Sequence, residues 1–561
     1  MSETKAEVRA RCLRIEQILL ENWIGPHRSP MCCSNELKNW QPSEVEDLFK
    51  LLPDLKDRKL SPHGPESLYP PKGRQYWKEF AVKAAMIGAF DVLALVISPI
   101  LLTSKTFRKN FLSEVTELNY STIGSSLFIK CPLHLLRQVA DAGMAVCVNK
   151  HGCFSVRRSK YAAISHVWAE TMGLELEDQK IEHDSRGINR AHFRRIFSKA
   201  AASSKHGWFW LDLLAVPQIH GDEQDIDMLR ELKTNVVNSL IHVYRNADSV
   251  VILDALTLQL DSVDLCKVAA ILNCGRWLTR MWTYQEIKLA KKAYIVTKTG
   301  TLDFHDMIRA LDARAGENEV HYKRWHEMYL KFNRLLPSDP RGVSLADVAF
   351  CCSDRNAEND IDYARSLYAL LDLQWQTGWQ YDDAILHIIK SRPQDAARIA
   401  NLQGRRGLPP PYSWSPRYFA RLTGKIFGDY IATKHGLLGH WSTFRLNRII
   451  RHGLHNKNDA KVIFHLELLN RFGKPFEMWS ELPNYRDDKL IEWWSQATPS
   501  GTARLLCANV PENLDANRDP VVMLMVLQGD AESFGAVAGT LTMNDDDVNE
   551  LDGELLQWLL A

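Results

Sequence analysis

Four short apolar runs between residues 161 and 297 decide the fold. They read YAAIS (161–165), WFWLD (208–212), SVVILD (249–254) and AYIVT (293–297). Each run is five or six residues long and rich in β-branched or aromatic side chains, which is typical of buried strands. The runs therefore predict four strands of one sheet, near 161–167, 208–213, 249–254 and 293–297.

The segments between these runs have the spacing of amphipathic helices. After Asp225, apolar residues recur every three or four positions at Leu229, Leu232, Val236 and Leu240. Such spacing places them on one helical face that packs against a core. Strands that alternate with helices predict a parallel sheet with helices on both of its faces. We therefore assign this region to the α/β class.

Length and charge limit the remaining possibilities. The chain has 561 residues, which corresponds to roughly three to four domains. Hydrophobic residues make up 45% and charged residues 24%, an ordinary globular composition. The 69 basic and 68 acidic residues give a formal charge of +1. The chain therefore lacks the overall basic character that would indicate a nucleic-acid partner.

Changes of pattern along the chain predict four regions. These are a helical N-terminal region (1–144), faintly ankyrin-like at 81–102, the α/β region (145–300), a helical region (301–400) and a mixed α+β C-terminal region with an acidic end (401–561).

The segment from Ala84 to Ser104 is apolar enough to resemble a membrane span. It contains Asp91, and a carboxylate at mid-membrane costs roughly 3 kcal/mol. A buried helical element is therefore the favoured interpretation. The eleven cysteines are an odd number and form no C-x-x-C pair, which favours a reducing compartment without a metal site. The charged N-terminus lacks the apolar core of a signal peptide, so we predict a cytoplasmic protein.

Polar residues stand at the carboxyl ends of the first three predicted strands. The first ends in Ser165 and His166, the second in Asp212 and the third in Asp254. Ligands of open parallel sheets bind beyond these ends, so their convergence predicts a binding site. The alternative is that each residue caps a following helix or turn, as Ser and Asp often do.

The segment RWLTRMWTYQE (276–286) follows the third strand. On a helix, Trp282 and Glu286 are one turn apart and share a face. A carboxylate beside a large aromatic ring suits a flat, positively charged ligand. The alternative is a core tryptophan, with Glu286 in a structural ion pair with Arg276 or Arg280.

Together, these segments resemble the HET (heterokaryon incompatibility) domain of fungal proteins. The resemblance rests on four ordered motifs, which here read YAAISHVW (161–168), WLDLLAVPQ (210–218), YRNADSV (244–250) and RWLTRMWTYQE (276–286). Two positions depart from the family pattern, since Ala169 replaces the usual glycine and Ala215 the usual cysteine. The resemblance implies a signalling protein of nonself recognition and programmed cell death. It also implies protein partners or self-association.

HET domains are in turn similar to TIR domains, which implies a TIR-like, flavodoxin-like parallel sheet. Some TIR domains cleave NAD with a glutamate in a Trp-x-x-x-Glu element, and Trp282 and Glu286 have that spacing. This implies a second hypothesis, a nucleosidase whose substrate is NAD or a related nucleotide. Glu286 would then stabilise the positive ribose, and Trp282 would stack on the nicotinamide.

The remaining site residues of the enzyme hypothesis follow from their positions. Ser165, His166 and Asp212 would lie near the ligand at the strand ends. Arg276 or Arg280 would hold phosphate, because a guanidinium matches its geometry. The sequence leaves catalysis open, and it predicts no cofactor beyond NAD as a substrate.

Overall fold

The computed structural model describes most of the chain from Phe128 to Ala561, together with Ala10 and Ala85. The gaps after Phe128 are residues 141–142, 169–186, 218–225, 262, 318–321, 337–341, 354, 358, 420–421, 423–429, 453–461, 470–471, 473–474, 483–500, 509–520, 530–533 and 544–553. The predicted helical N-terminal region up to residue 127, including the segment Ala84 to Ser104, and most of the acidic end lie outside the described residues. Within the described part, no helix combines the length and the apolar character that a membrane crossing requires.

The chain divides into two compact units. One comprises Arg14–Pro337, and the other comprises Met1–Leu13 with Ser338–Ala561. The division near residue 337 falls inside the region 301–400 that the sequence pattern treated as one helical region. Each unit is described by itself below.

The unit Arg14–Pro337 alternates strands and helices. Its strands are β1 (Phe128–Ile129), β2 (Ala145–Asn149), β3 (Phe154–Arg157), β4 (Ala162–His166), β5 (Ile188–Asn189), β6 (Trp208–Trp210), β7 (Ser249–Leu253), β8 (Ala293–Val296) and β9 (Thr301–Asp303). Its helices are α1 (Leu133–Ala140), α2 (Arg190–Ala200), α3 (Asp212–Ala215), α4 (Ile226–Asn246), α5 (Leu265–Cys274), α6 (Arg276–Thr279), α7 (Met281–Lys288), α8 (Phe304–Glu317) and α9 (Tyr322–Asn333).

Seven of these strands form one mixed sheet in the order β3-β2-β6-β4-β7-β8-β9. The four predicted strands are its centre, β6, β4, β7 and β8, and each pairs with its neighbour in parallel. The prediction of parallel strands is thus confirmed for these four. The prediction of a wholly parallel sheet is wrong, because β2, β3 and β9 add antiparallel pairs at the two sides.

The apolar runs are buried because helices pack against the sheet. All five residues of β7 and all five of β4 are buried. Leu229, Leu232, Val236 and Leu240 of α4 are buried too, as their spacing predicts. Burial on both faces explains why the central strands are largely apolar, with their polar residues at the strand ends.

The second unit places helices before strands. Its helices are α10 (Leu345–Cys351), α11 (Asp360–Tyr368), α12 (Tyr381–Ser391) and α13 (Pro393–Arg398). Its strands are β10 (Ile431–Thr433), β11 (Gly436–His452), β12 (Val462–Leu469), β13 (Pro475–Leu482), β14 (Ala503–Ala508), β15 (Val521–Gln528), β16 (Phe534–Met543) and β17 (Glu554–Leu560). Strands β11, β14, β15, β16 and β17 close into a five-stranded barrel through successive pairings. Trp441 and Trp558 are buried in this unit.

Candidate functional site

Ser165 lies at the carboxyl end of β4 and is fully buried. Its hydroxyl donates a hydrogen bond to Oε2 of Glu286, 121 residues further along the chain. The indole Nε1 of Trp277 donates to Ser165 Oγ at 2.6 Å. Ser165 therefore joins the end of the first predicted strand to α6 and α7, two of the three helices that follow the third predicted strand.

Glu286 is the centre of this cluster. It lies on α7 with 6% of its surface exposed, and the Tyr244 hydroxyl of α4 also donates to its carboxylate. Its carboxylate thus accepts hydrogen bonds from two hydroxyl groups, and not from Arg276 or Arg280 as the ion-pair alternative required. Burial, with the nearby Asp212 carboxylate, raises the pKa of Glu286 to about 7, although the hydrogen bond from Ser165, the charge of His166 and the Tyr244 hydrogen bond oppose this rise.

His166 and Asp212 form the second part of the site. His166 Nε2 and Asp212 Oδ1 are 2.7 Å apart, and the imidazole is buried whereas 18% of the Asp212 side chain is exposed. Trp168 Nε1 donates to Asp212 Oδ2 at 2.5 Å, and the Leu213 backbone N–H donates to Oδ1 at 2.7 Å.

The pair holds opposite charges. Burial disfavours both charged forms, but the partner's charge and hydrogen bond outweigh it, so the pKa of His166 is raised and that of Asp212 is lowered. Glu286 adds to the rise at His166, which places the two parts of the site within electrostatic reach.

The structure brings together four of the predicted site residues and leaves three apart. Ser165, His166, Asp212 and Glu286 belong to the cluster just described. Trp282 and Arg280 are half-buried on or beside α7, and Arg276 is buried beside Asp254. Sequence reasoning missed Trp168, Tyr244 and Trp277 as cluster members. Their signal was present, because all three lie in the motif segments quoted above.

Asp254 directly follows β7 and stabilises the backbone around it. Its buried carboxylate accepts backbone N–H bonds from Leu256 (3.0 Å), Thr257 (3.2 Å) and Trp277 (3.3 Å). The capping alternative therefore describes Asp254. Burial raises its pKa to about 6, although these three N–H groups and the adjacent Arg276 guanidinium oppose the rise. Arg276 is buried beside this carboxylate.

The enzyme hypothesis requires a carboxylate that is at least partly open to a ligand, but Glu286 is buried. A pocket of roughly 500 Å³ lies elsewhere in the same unit, where Lys291, Lys292, Arg309 and Tyr329 are among its lining residues. None of the predicted site residues lines it.

Among the described residues, no three His, Cys, Asp or Glu side chains are grouped in a way that would hold a metal ion. The eight described cysteines are free thiols.

Comparisons of the chain with protein-family models, with curated proteins and with solved structures give no match. The argument for function therefore rests on the motif residues and on the geometry of the cluster that they form.

The free energy of unfolding is expected to fall as the pH rises from about 4.5 to about 7. In this window the unfolded chain releases the Glu286 proton, whereas the folded chain still holds it. The full destabilisation, about 3 kcal/mol, is present above pH 7 and absent below pH 4.5. His166 acts in the same direction, because its raised pKa stabilises the fold below its ordinary value of 6.5 and this contribution is lost as the pH rises through the folded-state value.

Urea unfolding at about pH 5 and about pH 8 measures this dependence. Glu286→Gln removes the titrating group, so the variant should lose much less stability between the two conditions than the parent. Glu231→Gln, at an exposed position of α4, is the matched control and should behave like the parent. Equal pH dependence in the parent and in Glu286→Gln would contradict the assignment of a raised pKa to Glu286.

Proposed function

We propose that the α/β region is a HET-type signalling module of nonself recognition or programmed cell death, and that the buried cluster is its functional element. One observation carries the proposal: each of the four motifs supplies side chains to a single cluster. The first motif supplies Ser165, His166 and Trp168, the second Asp212, the third Tyr244, and the fourth Trp277 and Glu286. Segments up to 121 residues apart thus make one polar unit inside an apolar core.

The order of the central strands supports a TIR-like arrangement. Numbered along the chain, the four parallel strands lie in the order second, first, third and fourth. This is the beginning of the flavodoxin-like order, in which ligands bind at the carboxyl ends of the strands beside the point where the order reverses. Ser165 and His166 occupy that position on the first parallel strand, next to Asp212.

Induced expression of the full chain in a cell that lacks it tests the signalling proposal. We expect loss of viability with the parent and survival with Asp212→Asn, because the neutral amide removes the negative partner of His166 and disturbs the cluster. Asp227→Asn is the matched control, since Asp227 is an exposed residue of α4 outside the cluster. Equal survival of cells that express the parent and the Asp212→Asn variant at equal levels would refute it.

A second candidate function is cleavage of NAD, and the environment of Glu286 favours it. A carboxyl group that titrates near pH 7 is half-ionised at neutrality, which is the state that acid–base or electrostatic catalysis requires. The bond between nicotinamide and ribose breaks through a positively charged, oxocarbenium-like state that a carboxylate stabilises. Water then adds to the ribose carbon, and the products are nicotinamide, ADP-ribose and a proton.

Ligand access is the structural requirement of this second candidate. Glu286 is buried, so NAD must displace groups that cover it, and Asp212 and Trp168 are the cluster members with exposed surface. Incubation of the full chain with NAD, alone and at concentrations that promote self-association, followed by chromatography of the products, tests for cleavage. Loss of viability without NAD cleavage would leave the signalling proposal standing and refute the enzyme.

A further inference from the structure

Trp277 makes three hydrogen bonds that connect the cluster to the surrounding backbone. Its backbone N–H donates to the Asp254 carboxylate at 3.3 Å, and its backbone carbonyl accepts from the Thr283 hydroxyl of α7 at 2.5 Å. Its indole Nε1 donates to Ser165 Oγ at 2.6 Å. The side chain is fully buried and packs edge-on against Phe304, with the ring centroids 6.4 Å apart. Trp277 is therefore fixed at both its backbone and its ring.

The indole bond determines what the Ser165 hydroxyl does. An indole N–H donates but cannot accept, whereas a hydroxyl has one proton and two lone pairs. Ser165 uses a lone pair toward Trp277, and its proton goes to Glu286. Hydrogen bonds in such a chain polarise one another, so the indole N–H strengthens Ser165 as a donor to the carboxylate. Without this N–H, Ser165 is a weaker donor to the Glu286 carboxylate.

We infer that Trp277 is a positioning residue that makes Ser165 a dedicated donor to Glu286, and that Asp254 and Thr283 hold Trp277 in place for this task. This role goes beyond the proposed function, because it explains how the ionisation of Glu286 is controlled. Its importance for activity rests on the proposed function, whereas the hydrogen bonds from Trp277 to Ser165 and from Ser165 to Glu286 do not.

Apart from Ser165, the groups that shift the pKa of Glu286 have no hydrogen bond to Trp277. Tyr244 of α4 donates to the carboxylate, His166 of β4 lowers its pKa by its charge, and Asp212 raises it. Among the groups that act on Glu286, Ser165 is the one to which Trp277 donates a hydrogen bond. A change in the titration of Glu286 on loss of the indole N–H therefore reports the connection through Ser165.

Infrared titration of the full chain measures this effect. The carboxyl band of Glu286 is assigned by its loss in Glu286→Gln, and its titration midpoint is compared between variants. Trp277→Phe keeps an aromatic ring but removes the N–H, and we expect the midpoint to rise by about one pH unit. The matched control is Trp325→Phe, since Trp325 is also buried and its Nε1 has no hydrogen-bond partner among the described residues. This control should keep the parent midpoint.

A double-mutant cycle separates positioning from a general loss of packing. Ser165→Ala alone should raise the midpoint, and Trp277→Phe should add nothing further in the Ser165→Ala background. An unchanged midpoint in folded Trp277→Phe, or equal shifts with and without Ser165, would overturn the inference. Should Trp277→Phe fail to fold, Asp254→Asn provides the second test, because it weakens the backbone anchor and should also raise the midpoint. The titration needs no NAD cleavage, so a failed enzyme hypothesis leaves its result interpretable.

Discussion

Under the proposal that the chain cleaves NAD, Glu286→Gln is expected to reduce the rate by about 100- to 1000-fold, since removal of one preorganised electrostatic group costs roughly 3–4 kcal/mol of transition-state stabilisation. The amide keeps the shape of the side chain and can still accept the hydrogen bonds from Ser165 and Tyr244. It cannot become negative, however, so it offers no charge to an oxocarbenium-like ribose. Initial rates of nicotinamide release by the parent and the variant, at equal concentrations of the full chain, measure the loss.

The pH profile distinguishes this chemical role from a loss of structure. The parent rate should rise as Glu286 ionises around pH 7, and the residual rate of Glu286→Gln should not follow this titration. Glu231→Gln should retain the parent rate and profile, because Glu231 is exposed on α4. A folded Glu286→Gln variant with the parent's rate would show that Glu286 is structural, and the enzyme hypothesis would then be abandoned.

The central strands were predictable because burial on both faces leaves a strong local signal. Runs such as the one at Ser249–Leu253 contain almost only β-branched and aliphatic residues, and β7 follows that run closely. Strands β3 and β9 at the sides were missed because they are short and less apolar. Strand β3, for example, reads FSVR, and all four of its residues are only half-buried.

Most strands of the second unit were also missed, for a different reason. Their apolar residues are interrupted by polar ones, as in β11 and β12, and some pairings join distant segments, as β11 does with β17. The exception is β15 (Val521–Gln528), whose run VVMLMVL (521–527) is apolar throughout and is typical of a buried strand. A short sequence window contains no information on partners more than a hundred residues away.

The site was predictable as a set of positions but not as a set of contacts. The rule that parallel strands end at one edge correctly placed Ser165, His166 and Asp212 close to one another and to Glu286. It could not show that Glu286 bonds to Ser165 and Tyr244 and is buried. Helical spacing also suggested that Trp282 and Glu286 share a face of α7, yet Glu286 is buried and Trp282 is only half-buried. This difference depends on what packs against α7, and the local sequence pattern does not encode such tertiary packing.

Gly275→Ala is expected to destabilise the fold by about 3 kcal/mol, at the upper end of what one added methyl group costs in a tightly packed core. The backbone angles of Gly275, φ −76° and ψ 157°, suit any residue, so the need for glycine here is one of space. An added Cβ would lie 2.6 Å from Asp254 Cγ and closer still to one carboxylate oxygen. Asp254 cannot move aside cheaply, because three backbone N–H groups hold it.

The methyl group would therefore displace either the Asp254 carboxylate or the start of α6, and with it the backbone anchor of Trp277. Urea unfolding of the full chain at constant pH measures the loss of stability. Gly300→Ala is the matched control, since a Cβ at position 300 would meet no atom within 4 Å. Asp254→Gly removes the carboxylate that the new Cβ would meet. In the Asp254→Gly background, Gly275→Ala should therefore cost less free energy of unfolding than it does in the parent. A Gly275→Ala variant as stable as Gly300→Ala would show that Asp254 yields easily, and the anchor would then not hold Trp277 in place.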